Sequence, residues 1–496
     1  MKVEKQKLKS LLDGNSTYVM PLFQRGYIWE EDNWQTLWDD VVRTTHELLE
    51  KPGVQHFIGA IVLEQLPTTA GRMPQHQVID GQQRLTTIQV MLKALHDVLT
   101  ARGEAEGQRD DIPKYLFNSG AKVKGESDQF KVWPTNVDRK HFIRVMEDGV
   151  DGQETDDHFS RAYRFFEGNV SAWLEDGATQ FDTVESAVEN MVYVVEEALV
   201  LAEIDLEGDD DSQEIFETLN ALGTPLRPSD LIKNHLFRLA QHRGMDLEIL
   251  NDTYWKQLEQ DSKFWWSERT VGRFTRTEID IFLQYWIAVQ LQRDVTADVV
   301  FRSFRELMSE AKTEDIRRTF ESIVRYSHIY RRFQNRQGDD RENRFARRLA
   351  EMDTYAVYPL VLFFYDHVDD GEERHEMLDI IESFLVRRML MRLKAQSYSR
   401  AGTDTMHALW RDDSITAAAL RERLRQYEAA GTRWPTDEEL ISGLKQNALY
   451  GVVGQGRLAM VLLAVNERMH QERSEIVDVK GNLQIEHIMP QNWTDH

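Results

Sequence analysis

The chain has 496 residues, no cysteine and a formal net charge of −24. This length predicts two or three domains, and the absence of cysteine excludes disulfides, thiolate zinc sites and cysteine nucleophiles. It also suits a cytoplasmic location. The negative net charge argues against a protein that coats nucleic acid, because such proteins are basic, but local basic patches can still bind DNA. Because we find neither a signal peptide nor an apolar run long enough to span a membrane, we expect no membrane partner.

The first 110 residues mix helical and strand patterns. Apolar side chains at helical spacing predict a helix over residues 34–49. The apolar run 56–63 predicts a buried strand, and the short run 77–80 predicts a second strand that ends in a turn. Residues 82–99 then predict another helix.

The composition changes after residue 102. A polar stretch rich in glycine and aspartate predicts an insertion of loops and short helices over about 103–190. The valine-rich run 192–204 predicts a strand, and Ser229 is the predicted N-cap of a helix that opens at residue 228. From about 240 to 470 the pattern is almost wholly helical.

The sharpest local feature is Asp80-Gly81-Gln82-Gln83-Arg84, between a predicted strand and a predicted helix. Glycine allows a tight turn, and the N–H groups at the start of the following helix form an anion site. Arg84 can grip phosphate oxygens, and Asp80 can hold hydrated Mg²⁺ against them. The alternative is structural, with Asp80 capping the helix and pairing with Arg84. No Walker A pattern is present, so a nucleotide would need this different cradle.

Aromatic and polar residues alternate over residues 23–29. Gln24 can contact a base edge, Arg25 can reach a phosphate or a base, and Tyr27 and Trp29 can stack on bases. This pattern predicts a contact with DNA or nucleotide. In the alternative interpretation, Tyr27 and Trp29 pack in the core against the 34–49 helix.

Two arginine clusters stand out in the helical part of this acidic chain. Helices rich in arginine and aromatic residues can follow a DNA backbone. The alternative is a solvated face whose arginines pair with acids such as Asp339, Asp340 and Glu342. The first cluster comprises Arg317, Arg318, Arg325, Arg331, Arg332, Arg336, Arg341, Arg344, Arg347 and Arg348, and the second Arg387, Arg388, Arg392, Lys394 and Arg400.

Three motifs in order resemble the DUF262 family, the N-terminal domain of GmrSD-type (type IV) restriction enzymes. Residues 80–87, Asp-Gly-Gln-Gln-Arg-Leu-Thr-Thr, resemble the hallmark of that family. Residues 21–29, and residues 216–226 continued by 229–234, resemble two further segments. The chain departs from the family pattern at Phe23, where tyrosine is usual, and at Leu222, where many members have arginine.

The resemblance implies a fold similar to ParB and sulfiredoxin, and NTP hydrolysis coupled to restriction of foreign DNA. It implies a hydrolytic centre at Asp80, Gln82, Gln83 and Arg84, with Asp80 on Mg²⁺ or water. The expected contacts to GTP or another NTP are Gly81, Gln82, Arg84, Thr86, Asn220 and Lys233. The expected contacts to DNA are Gln24, Arg25, Tyr27, Trp29 and His56.

The end of the sequence, Gln484-Ile-Glu-His-Ile-Met-Pro490, resembles the start of DUF1524, an HNH-like (ββα-metal) nuclease domain. In that chemistry His487 would be the general base and Glu486 a metal ligand. Only six residues follow Pro490, so we expect the rest of the nuclease motif to be missing and this chain alone not to cleave DNA.

Together these features predict an α+β protein with three parts. These are a ParB-like domain over 1–240, a helical domain over 241–470 and the beginning of a nuclease domain over 471–496. We expect an NTP-hydrolysing sensor of modified double-stranded DNA, carrying phosphorothioate or glucosylated cytosine, in an anti-phage restriction system. A homodimer would be unsurprising. Two alternatives remain open: a DNA-binding module without NTP hydrolysis, and a nuclease that acts from the N-terminal domain.

Overall fold

The computed structural model describes residues 2–69, 71–150, 156–206, 227–271, 274–334, 336, 338–394, 398–469 and 485. The chain divides into two compact units, Met1–Arg238 and Leu239–His496. The first combines a mixed sheet with helices, and the second is mostly helical. The predicted α+β class is therefore confirmed, while the likeness to ParB stays a prediction.

The first unit is organised around a six-stranded sheet. Its strands are β1 Lys2–Lys7, β2 Thr17–Val19, β3 His56–Gln65, β4 Gln75–Asp80, β5 Val132–Trp133 and β6 Leu199–Leu206. They lie in the order β1-β6-β3-β4-β2-β5 across the sheet. Strand β3 pairs antiparallel with β4 and parallel with β6, which makes the sheet mixed. The edges are β1, antiparallel to β6, and the short β5, parallel to β2.

The two faces of this sheet bury different amounts of apolar surface. Leu63 and Val78 belong to the larger core, which also takes in the helices Gln82–Arg102 and His158–Asp176. On the other face, Val62 and Ile79 lie in a small cluster against Leu231 of the helix Pro228–His242. The remaining α-helices of this unit are Leu8–Leu12, Glu31–Glu50, Glu106–Asp111, Pro113–Leu116, Glu126–Gln129, Arg139–Asp148 and Val184–Tyr193.

The predicted strand over 192–204 is wrong in its first half. The helix Val184–Tyr193 continues into a π-helical turn, Val194–Ala198, and β6 begins only at Leu199. The side chain of Thr183 caps the helix by accepting from the N–H of Ser186 at 3.0 Å. The valines here are buried in a helix, because packing outweighs their preference for strands.

The predicted N-cap at Ser229 is also wrong. The helix already begins at Pro228, whose fixed φ suits a first helical position. The carboxylate of Asp230 accepts from the N–H of Arg227 at 3.2 Å, so aspartate rather than serine binds the chain that enters the helix.

The described residues of the second unit are mostly helical, and they also include one hairpin that the sequence patterns did not predict. Its strands are β7, Glu268–Val271, and β8, Phe274–Thr277. The α-helices are Leu247–Leu250, Lys256–Gln260, Ser262–Trp265, Glu278–Leu291, Val300–Met308, Thr313–Arg332, Arg341–Glu351, Tyr358–His367, Gly371–Leu390, Tyr398–Arg411, Ala417–Arg425, Asp437–Gln446 and Gln455–Met469. Within the described residues, no helix is long and apolar enough to cross a membrane.

Candidate anion-binding site

The turn after β4 has the geometry that its glycine predicts. β4 ends at Asp80, the helix Gln82–Arg102 begins two residues later, and Gly81 between them has a φ of 93°. A Cβ on Gly81 would lie 3.2 Å from the carbonyl oxygen of Ala60, so a larger residue would be both strained and crowded. Because the helix begins directly after this turn, its first backbone N–H groups lie near the end of β4, where they favour an anion.

The side chain of Arg84 folds back over a second glycine. Its Nη1 donates to the carbonyl oxygen of Ala60 at 2.8 Å. Gly59 has a φ of 109°, and a Cβ there would lie 2.6 Å from Nη2 of Arg84. The guanidinium therefore rests on bare backbone, and Gly59 is a site residue that sequence reasoning missed. A glycine inside a strand pattern was the one available signal, since it marks a bulge or a close approach.

Acidic and basic side chains interact in this cluster. Burial raises the pKa of Asp80, while the N–H of Gly81, Arg84 and Arg25 each oppose the rise. Burial lowers the pKa of Arg84, and Asp80 offsets part of that change. Burial likewise lowers the pKa of Arg25, with Asp230 and Asp80 opposing and Arg227 reinforcing. An anion bound beside these two guanidinium groups would favour their charged forms.

The helix Pro228–His242 completes this cluster. Asp230 and Arg227 both interact electrostatically with Arg25, so the later motif and the 23–29 segment meet at one place. Lys233 lies one turn after Asp230 and is buried. Neither Arg227 nor Asp230 was predicted as a site residue. Asn220 falls outside the described residues, so its predicted contact to nucleotide stays a prediction.

The segment that carries Arg25, residues 24–29, is here called the Arg25 loop, and glutamines clamp it. Gln24 Nε2 donates to the carbonyl oxygens of Val78 and Ile79, both at 2.8 Å. Gln82 Nε2 donates to the carbonyl oxygen of Arg25 at 3.2 Å. These bonds fix the loop against β4 and against the first turn of the following helix.

Gln83 holds the next residues of the Arg25 loop with both of its amide atoms. Its Nε2 donates to the carbonyl oxygen of Gly26 at 3.0 Å, and its Oε1 accepts from the N–H of Ile28 at 2.9 Å. Both amide atoms of Gln83 therefore hold the loop, and its predicted role in hydrolysis stays a prediction.

The predicted DNA contacts occupy different environments. Tyr27 is buried, and its hydroxyl accepts from Trp34 Nε1 at 2.8 Å and lies 2.6 Å from Thr87 Oγ1. Trp29 is partly buried and packs against the same core. Tyr27 thus occupies the core position of the alternative interpretation, whereas Arg25 lies in the charged cluster.

Two further predicted site residues have protein partners or are buried. His56 begins β3, and its Nε2 lies 3.0 Å from Oδ2 of Asp40. Thr86 is buried in the helix Gln82–Arg102.

Acidic partners surround many arginines of the helical clusters. Arg341 lies 2.6 Å from Asp379, and Arg347 lies 3.5 Å from Asp339. Arg388 is fully buried and donates to the carbonyl oxygens of Arg433, Lys394 and Gly431 at 2.7–2.8 Å. Ion pairs also join Arg325 to Asp366, Arg331 to Asp261, Arg332 to Glu342, Arg348 to Glu382 and Arg387 to Asp437. These contacts agree with the alternative interpretation, in which the arginines pair with nearby acids.

The predicted nuclease residues Glu486 and His487 lie outside the described residues. In the part of the chain that the structure describes, no group of three or more histidines and carboxylates is placed to hold a metal ion. Among the described residues, a metal at the Asp80 turn would therefore have fewer than three histidine or carboxylate ligands.

Comparison with known proteins agrees with the motif resemblance. Residues 8–237 match the family model described as "GmrSD restriction endonuclease, N-terminal domain". No curated protein matches the chain. The matched range contains the whole charged cluster around Asp80, Arg84 and Arg25, and the resemblance is confirmed for this part of the chain.

Proposed function

We propose, from the match of residues 8–237 to the N-terminal domain of GmrSD restriction endonucleases, that this domain binds and hydrolyses a nucleoside triphosphate. The site would be the turn at residues 80–84 together with Arg25. Nucleotide turnover would be coupled to recognition of modified double-stranded DNA. The match to a restriction endonuclease domain makes DNA the expected macromolecular partner.

The observation that carries this proposal is the geometry of the turn, where the helix Gln82–Arg102 begins directly after Gly81 and the Arg84 side chain folds back over Gly59 onto the carbonyl oxygen of Ala60. Burial lowers the pKa of both Arg84 and Arg25, and a bound anion would favour their charged forms. Phosphate oxygens between the two guanidinium groups would accept charge-assisted hydrogen bonds. The helix amides after Gly81 add donors directed at the same space.

The residues present fit Mg²⁺ in the way that nucleotide enzymes hold it. Mg²⁺ commonly binds through one or two carboxylates together with substrate phosphates and water. Asp80 is partly buried at the turn and supplies such a carboxylate. When bound, the ion would neutralise developing charge on the phosphates. Arg84 would orient the phosphates, and Asp80 would position the ion or the attacking water.

A second function is favoured by one observation. Gln83, a candidate for orienting water, has both amide atoms bonded to the Arg25 loop. If no other group activates water, the site binds a phosphate group without hydrolysing it. The protein would then be a DNA-binding module whose turn holds a backbone phosphate.

Phosphate release tests these two functions. The assay compares each of the four NTPs with Mg²⁺, alone and with unmodified, phosphorothioate or glucosylated-cytosine duplex. Turnover should fall to background in Arg84→Ala and Asp80→Asn. Arg102→Ala is the matched control, because Arg102 lies at the far end of the same helix and pairs with Glu175 at 2.7 Å. Equal turnover in all variants would refute hydrolysis at this turn, and absence of turnover with every duplex would favour the binding module.

A further inference from the structure

A carboxylate from a distant part of the domain holds the Arg25 loop. Oδ2 of Asp138 accepts from the N–H of Tyr27 at 2.8 Å, although the two residues are 111 positions apart. The same oxygen accepts from the hydroxyl of Thr135 at 3.0 Å. Gly26 lies close to the other oxygen, since a Cβ on it would be 3.1 Å from Oδ1. The carboxylate therefore contacts two successive residues of the loop.

Asp138 does not perform the role that its position would predict. It is the N-cap of the helix Arg139–Asp148, where an aspartate side chain usually accepts from the amides of the first turn. No such capping hydrogen bond forms. Burial raises the pKa of Asp138, and the bonds from Tyr27 and Thr135 only oppose the rise. The buried carboxylate of Asp138 therefore contacts the Arg25 loop rather than the first turn of its own helix.

The Arg25 loop connects Asp138 to the anion site. The carbonyls of Arg25 and Gly26 accept from Gln82 and Gln83, which are the first residues of the helix after the turn. The loop is therefore bonded to Asp138 on one side and to the turn on the other. Between these attachments, the Arg25 side chain interacts with Asp80 and Asp230. Removing either attachment would leave the backbone that carries this guanidinium less fixed.

We propose that Asp138 is a positioning residue for the anion site, which fixes the Arg25 loop so that the Arg25 guanidinium faces the ligand's phosphates. The inference rests on the proposed function, because it requires nucleotide phosphate as the ligand. Asp138 itself touches no ligand in this account and acts only through Arg25.

A double-mutant cycle between Asp138 and Arg25 tests this role, with GTP, ATP and inorganic triphosphate as probes in the presence of Mg²⁺. Asp138→Ala should weaken binding roughly tenfold, as expected for a lost hydrogen bond to a charged acceptor. In the Arg25→Ala background the same change should have almost no effect, because the group that it positions is gone. Asp138→Asn keeps an oxygen for the N–H of Tyr27 and should restore most of the affinity.

Asp128→Ala is the matched control. Asp128 is buried in the same unit and accepts from the backbone N–H of Lys124 and Gly125 at 3.2 and 3.1 Å. This variant should lose thermal stability without losing affinity for the probes. If Asp138→Ala does not fold, Gly26→Ala replaces it in the cycle, because its Cβ would press on the same carboxylate from the loop side.

The inference is overturned if Asp138→Ala leaves affinity for the probes unchanged, or if it weakens that affinity equally in the unmodified chain and in the Arg25→Ala background. Arg84→Ala separates this failure from failure of the proposed function. If Arg84→Ala also binds the probes as tightly as the unmodified chain, the turn is not the nucleotide site and both proposals fall. If Arg84→Ala weakens binding while the cycle shows no coupling, only the role of Asp138 is lost.

Discussion

Arg269 in the helical unit and Arg84 in the sheet unit are both largely removed from water, but their neighbours differ. Nη2 of Arg269 donates to Glu278 at 3.0 Å and to the hydroxyl of Tyr330 at 2.7 Å, and its Nε lies 2.9 Å from Glu278. Burial lowers the pKa of Arg269, but Tyr330 and Glu278 outweigh it and the net shift is upward. For Arg84 the net shift is downward, because Asp80 offsets burial only in part.

Under the proposed function, this difference separates structural arginines such as Arg269 from Arg84, which would contact the ligand. Arg269 pairs with Glu278 and donates to the hydroxyl of Tyr330, and Arg388 donates to three carbonyl oxygens, so each helps to hold helices together. Arg84 rests on glycine backbone, donates to one carbonyl oxygen and interacts with the carboxylate of Asp80, and we propose that it also contacts an anion. An arginine-rich sequence pattern alone does not distinguish the two cases.

The largest expected effect is on stability, in Arg269→Met. Removing this side chain leaves the buried carboxylate of Glu278 without its ion pair. Such a loss costs about 3–5 kcal/mol in the free energy of unfolding. Denaturant titration followed by circular dichroism measures it. The double variant Arg269→Met with Glu278→Leu should recover much of the loss, and failure to recover would show that Glu278 is not the cause.

For Arg84→Ala we expect a small loss of stability and a large loss of affinity for nucleotide. The free energy of unfolding should change by less than about 1 kcal/mol, because few internal bonds are lost. Affinity for GTP should fall by about 2 kcal/mol, or roughly 30-fold, because a charge-assisted contact to phosphate disappears. Calorimetry and denaturant titration on one sample give both numbers. A stability loss as large as that of Arg269→Met, with unchanged affinity, would place Arg84 among the structural arginines.

Gly59→Ala tests the placement of the Arg84 guanidinium over the backbone of Gly59. The added Cβ would lie 2.6 Å from the Arg84 guanidinium and would also strain a backbone with a φ of 109°. We expect a stability loss of about 1–2 kcal/mol and roughly tenfold weaker nucleotide binding. Gly103→Ala is the control, because Gly103 has a φ of 67° and open space around it. That control should lose stability but not affinity, and equal affinities in the two variants would contradict the placement of Arg84.

The smallest effect is a pH dependence of anion binding. Burial raises the pKa of Asp80 above its ordinary value, so its negative charge disappears earlier as the pH falls. Sulfate keeps its charge over this range, and its binding should therefore strengthen by a few-fold on acidification. Asp80→Asn should bind more tightly at neutral pH and lose this dependence. A sulfate affinity with the same pH dependence in Asp80→Asn as in the unmodified chain would exclude Asp80 from the site.

Local features of this site could be predicted from sequence, whereas its assembly could not. A strand, a glycine and a helix are contiguous, so the turn at Gly81 follows from residues 77–99 alone. The meeting of Arg25 with Asp80 and Asp230 depends on strand order and on the helix Pro228–His242, which are long-range features. The motif resemblance brought these segments together where periodicity gave no reason to do so.

The fold shows the same limit. The strand at His56–Gln65 and the helix at Glu31–Glu50 match their predicted positions because their apolar patterns are strong. Residues 192–198 were assigned to a strand because valine favours strands, yet buried contacts keep them helical. Gln24 and Tyr27 have the polar and aromatic character of nucleic-acid contacts, and only tertiary packing shows that they bind Val78 and Trp34.

The most direct test is a crystal structure of the chain with a non-hydrolysable nucleoside triphosphate and Mg²⁺. We expect phosphate oxygens within hydrogen-bonding distance of the Arg84 and Arg25 guanidinium groups and of the helix amides that follow Gly81. Arg84 remaining on the carbonyl of Ala60, with the ligand bound elsewhere or absent at saturating concentration, would contradict the account.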